Sequence, residues 1–121
     1  MAGSVMQRAA CVLKFNPYHG EGGLFSSADR ARAGQARTPA EHTTAAVQHH
    51  AEADRQLMAY YRASIRSQDA AARHHQDVAT AHRTAARTHE EAARSRTAAQ
   101  SGAARRQSQA AFALEHEAVH A

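Results

Sequence analysis

The sequence predicts a mainly α protein: an irregular N-terminal segment, a long Ala-rich amphipathic helix or helical hairpin, and a short C-terminal helix. Three observations carry this. Between Ala70 and Gln100 a pair of small residues recurs every seven positions, as Ala71/Ala72, Val78/Ala79, Ala85/Ala86 and Ala92/Ala93, which draws one stripe down one side of a helix. Alanine, the strongest helix former, supplies 32 of the 121 residues. Leu, Ile, Val and Phe together number only 13, with no Trp. A buried alanine methyl is worth only ~0.8 kcal/mol, so the chain has ample helix propensity but little with which to build a thick core.

Three segments follow from this pattern: residues 1–39, irregular with an aromatic turn and a linker; 40–101, the long helix or hairpin; and 102–121, the terminal helix. The first 14 residues read as a loosely ordered terminus. Their apolar pieces are too short for a signal peptide, and no run reaches the ~18–20 apolar residues of a membrane span. Cys11 is the single cysteine, which excludes an internal disulfide and fits a reducing compartment.

Phe15-Asn-Pro-Tyr-His-Gly-Glu-Gly-Gly-Leu-Phe25 is the one stretch rich in turn formers and aromatics. Pro17 fixes its own φ and extends Asn16, and the glycines permit positive φ, so Phe15 and Phe25 bracket a compact turn suited to docking on a partner. The block from Lys14 to Ser27 resembles the short F-N-P-x-H-D-x-x-x-G-R-F-type motif of tailed-phage and prophage proteins, including head morphogenesis and other virion-associated proteins. Phe15, Asn16, Pro17, His19 and Phe25 fit it, with Tyr18 at its variable position; Gly20 stands in place of the usual Asp and Leu24 in place of the usual Arg. In several such proteins an Ala/His/Arg-rich helical segment follows, as here. The resemblance implies particle assembly as the context and supplies no reaction. It sets the expected location as the cytoplasm of a bacterial host, or the virion.

Thr38-Pro39-Ala40-Glu41 is a helix start, with Thr38 as N-cap, Pro39 in the first position and Glu41 three residues after the cap. From there Leu57, Met58, Tyr61 and Ile65 keep the phase of the later stripe, which argues for one helix through 40–100. The competing arrangement breaks at Ser67-Gln68-Asp69 and folds the halves into a hairpin. Gly102 reads as the firmer break, with a separate helix after it. A strict seven-residue repeat implies a left-handed, coiled-coil-like seam, here lined by alanine, through which the chain associates with itself or docks on another protein.

Candidates for chemistry are few. His116-Glu-Ala-Val-His120 has the form H-E-x-x-H, which on a helix puts two imidazoles on one face for Zn²⁺ with Glu117 as base. No third ligand follows and no cleft is evident upstream, so His116 and His120 stand as a weak metal candidate only. His75, His82 and His89 form a ladder whose rungs are ~10 Å apart, too far to share one ion, and they read as wet residues flanking the seam. Arg94, Arg96, Arg105 and Arg106 offer phosphate contacts, yet no stacking aromatic accompanies them, and a solvated basic face is the simpler reading. The chain is therefore expected to be a non-catalytic structural or assembly protein without a cofactor or membrane attachment. A basic nucleic-acid binder is the alternative, and a small zinc hydrolase is less favoured.

Overall fold

The computed structural model of the chain describes residues 25–117. Four helices and no strand occupy these residues: α1 Ser27–Gly34, α2 Pro39–Ile65, α3 Asp69–Ser95 and α4 Ala98–Glu115. The chain divides after Arg30 into two units. In the described part of the first, the Ser26 hydroxyl caps α1 by accepting from the Asp29 amide at 3.0 Å, and the Arg30 guanidinium lies 5.2 Å from the Phe25 ring centroid.

In the second unit the chain turns back on itself twice. α2 starts on the capping box legible in the sequence: Thr38 Oγ1 accepts from the Glu41 amide, and the Glu41 carboxylate accepts in return from the Thr38 amide at 3.1 Å each. It ends at Ile65, where Ser67 adopts a left-handed φ of 58° and the Gln68 amide returns to the Ala63 carbonyl at 2.9 Å. α3 then runs antiparallel to α2. Of the two arrangements open in the sequence, the chain therefore takes the hairpin broken at Ser67-Gln68-Asp69 and not the single helix through 40–100. Continuity of phase did not reveal the turn, because a three-residue reversal leaves each arm with the same stripe to present to the other.

The second break also lies elsewhere than Gly102, which sits inside α4. The chain reverses at Arg96, with φ of 59°, and Thr97, whose side chain accepts from the Gln100 amide at 3.1 Å. One interior glycine costs a helix only ~1 kcal/mol, and a threonine N-cap with packing on α3 offsets it.

Ala72, Val78, Ala79, Ala85, Ala86 and Ala92 of the stripe are buried, with Ala71 and Ala93 half-buried. Facing them on α2 are Ala45, Ala46 and Ala53, and on α4 Ala104 and Ala111, all buried. Methyl-sized contacts permit close helix approach. The largest fully buried side chains between these helices are not aliphatic: four of them are His42, His49, His82 and His89.

Candidate functional site

Helices α2, α3 and α4 each place a polar side chain toward the bundle axis every seven residues: His42, His49 and Gln56 on α2; His75, His82 and His89 on α3; Ser101, Ser108 and Glu115 on α4. Seven residues are nearly two turns, so each set stays on one face. The antiparallel register pairs His42 with His89, His49 with His82, and Gln56 with His75. Sequence reasoning followed the apolar phase and overlooked the sets on α2 and α4, although the same spacing was there to be read. It also placed the α3 ladder in water. His82 and His89 are in fact fully buried, because the seam closes within the chain and takes the ladder with it.

Seven of these nine polar groups join into one chain of hydrogen bonds. Ser101 Oγ lies 2.7 Å from His42 Nε2, and His42 Nδ1 lies 2.7 Å from His89 Nδ1. His89 Nε2 is 2.6 Å from Ser108 Oγ, which is 2.8 Å from His49 Nε2. His49 Nδ1 is 2.7 Å from His82 Nδ1, whose Nε2 reaches Glu115 Oε1 at 2.8 Å. Phe112 stacks on the His49 ring at 5.2 Å between centroids, and His49 stacks on His89 at 5.6 Å.

Proton counting shows how this sits in an interior. Let the Ser101 hydroxyl donate to His42 Nε2, His42 Nδ1–H to His89 Nδ1, and His89 Nε2–H to the Ser108 hydroxyl oxygen. Ser108 then donates to His49 Nε2, His49 Nδ1–H to His82 Nδ1, and His82 Nε2–H to the ionised Glu115. Every link has one donor and one acceptor, and no imidazolium is needed. The reverse direction is equally complete if Glu115 is protonated and Ser101 donates to the Ala36 carbonyl, 3.5 Å away. The column is a two-way wire of tautomers.

Burial favours the neutral rings. It pushes His89 down to about 4, with His42 adding to the effect, and it lowers His42, to which the Arg105 charge contributes while Glu41 opposes. His75 is lowered likewise, by burial first and then by His74 and Arg62.

The two ends differ. At the Ser101 end a cavity of about 410 Å³ is lined by Arg37, His42, Arg96, Thr97 and Arg105 among others, and Arg105 donates to both Ser101 Oγ and the Ala36 carbonyl. At the other, Glu52 of α2, His82 of α3 and Glu115 of α4 converge. No protein-family model matches the sequence, and neither a curated protein nor a solved structure does. The site therefore rests on its own geometry.

The residues singled out in the sequence fall as follows. Phe15, Asn16, Pro17, Tyr18 and His19 of the aromatic turn lie outside the described residues, as does His120, while Phe25 is buried and His116 is the exposed C-cap of α4. Leu57 is half-buried, and Met58, Tyr61 and Ile65 are exposed. Among the arginines, Arg94 pairs with Glu91 and Arg105 is engaged inside the chain.

Proposed function

We propose that the chain is a non-catalytic structural or assembly protein, in which the packed helices act as a rigid element and the exposed apolar end of α2 associates with another protein chain. The N-terminal motif adds phage or prophage particle assembly as the context. One observation carries the reading: Met58, Tyr61 and Ile65, spaced i, i+3 and i+7 on one face of α2, are 55, 50 and 83% exposed. A contiguous apolar strip on a surface marks an interaction site, and in this chain large apolar residues are too scarce to be scattered at random.

A second copy is the simplest occupant. Light scattering of the purified chain at neutral pH is expected to give a dimer or larger, and the paired change Met58→Ser with Ile65→Ser is expected to return the mass of a single chain with the helical signal intact. A single-chain mass for the unaltered protein would remove self-association through this strip.

A further inference from the structure

The cavity of about 410 Å³ at the Ser101 end of the column falls in the ~300–1,000 Å³ range of small-molecule sites. It lies at the end of α2 opposite the exposed apolar strip. Three arginines line it: Arg37 ahead of the α2 N-cap, Arg96 in the reversal between α3 and α4, and Arg105 on α4. Among the described residues no aspartate or glutamate lines it. Glu41 is held in the α2 cap, where its carboxylate accepts from the Arg37 and Thr38 amides at 2.8 and 3.1 Å. Three guanidiniums against that one carboxylate still leave two positive charges.

The donors on these arginines are open. Arg105 is fixed through Nη1, which donates to the Ala36 carbonyl at 3.1 Å and to Ser101 Oγ at 2.9 Å, and the N–H groups on its Nε and Nη2 remain unused. Neither Arg37 nor Arg96 spends its guanidinium on a hydrogen bond or ion pair within the described residues. Arg96 also stands at a left-handed φ of 59°, where a glycine would sit without penalty. Thr97 and Ala98 bring the positive end of the α4 dipole to the same cavity.

We propose that this cavity binds a dianionic phosphate, as the free ion or as the head of a small monoester. Planar guanidiniums pair bidentately with phosphate oxygens, and two surplus positive charges match a dianion better than the single charge of a nucleic-acid backbone phosphodiester. The one ring in the wall among the described residues, His42, is 1% exposed and cannot stack on a base. Such an anion gives the Ser101 hydroxyl a stronger acceptor than the Ala36 carbonyl 3.5 Å away. It thereby favours the direction of the column in which His42 Nε2 donates to Ser101.

The test titrates the full chain with inorganic phosphate by calorimetry at neutral pH and fixed ionic strength. One phosphate per chain is expected. Affinity should fall at least about tenfold in Arg96→Gly and in Arg37→Ala, each of which removes charge-assisted hydrogen bonds, and stay unchanged in Arg94→Ala, which alters an arginine paired with Glu91. Because Arg96→Gly relieves the left-handed backbone, weaker binding there is not a symptom of misfolding. In the unaltered chain the imidazole nitrogen resonances of His42 should move and saturate with phosphate, while those of His50, paired with Glu90, stay in place. Methyl phosphate bound more tightly than inorganic phosphate would assign the site to a monoester, and the reverse order to the free ion. Uptake that never saturates, that both variants leave at full affinity, or that leaves the His42 ring unmoved would mean counterions held loosely by a basic chain and would overturn the proposal. So would a complete lack of uptake, or a DNA duplex bound more tightly than phosphate through the same two arginines.

Discussion

Acidification should begin to destabilise this protein before its carboxylates titrate. The perturbation is protonation of His89, which is fully buried against His42 and His49 of α2 and Ser108 of α4, in the field of His42. Its native value is about 4 against an ordinary 6.5. The unfolded chain therefore takes up the proton first, and stability that is complete above 6.5 is lost as pH falls toward 4. Integrating the two curves gives a loss of ~2 kcal/mol between about pH 7.5 and 5, and ~3 kcal/mol by about pH 4, from this one ring. His42, also lowered, adds in the same direction, whereas Glu41, a lowered carboxylate, contributes only at still lower pH. In a small domain holding ~5–10 kcal/mol in all, that is a large share. Urea unfolding followed by helical circular dichroism at a series of pH values checks it: the midpoint should fall steeply below about pH 6.5, and His89→Gln should flatten the slope by about one proton. A midpoint level from neutral to about pH 5 would refute the account of neutral buried rings.

Three further outcomes test individual contacts. Ser108→Ala removes the hydroxyl that serves both His49 Nε2 and His89 Nε2 in a fully buried position, and should cost roughly 2–4 kcal/mol by chemical denaturation. Thr38→Ala dissolves the capping box of α2 and should cost about 1 kcal/mol, read as a lower thermal midpoint. Arg96→Gly frees a left-handed backbone position from its side-chain penalty and should raise stability by about 0.5–1 kcal/mol in the same assay, where a loss would show that the Arg96 side chain matters more than its φ.

What the sequence disclosed and what it withheld divide along physical lines. Helix content, the α2 start at Thr38 and the alanine stripe rest on local rules, and each is found where periodicity and capping chemistry put it. The first reversal falls at the Ser67-Gln68-Asp69 break that the sequence offered, whereas the second depends on Arg96 entering left-handed backbone, which its residue type does not advertise; Gly102 does advertise it and lies in a helix. The histidine column was withheld for a different reason. A polar residue seven positions from its like is neutral information until a partner helix is known, because the same spacing serves a wet edge and a buried axis. Only pairing His42 with His89 and His49 with His82 decides between them.

The column also bears on how one register is chosen. In an alanine core the contacts of one heptad resemble those of the next, so methyl packing alone tolerates a slip of seven residues between α2 and α3. Histidine pairing does not forbid it, since His42 would then meet His82 and His49 would meet His75. The ends of the sets break the tie. In the native register His75 Nδ1–H donates to Gln56 Oε1 at 2.8 Å, and His82 meets Glu115. A slip would leave His89 buried without its α2 partner and would force the reversal at Ser67 into the body of α2. Leaving a buried imidazole nitrogen unsatisfied costs ~1–3 kcal/mol, and breaking a helix turn costs more on top. The unlike residues Gln56 and Glu115 therefore specify which of several nearly equivalent packings is the fold, in the way a single polar residue specifies register in an apolar seam.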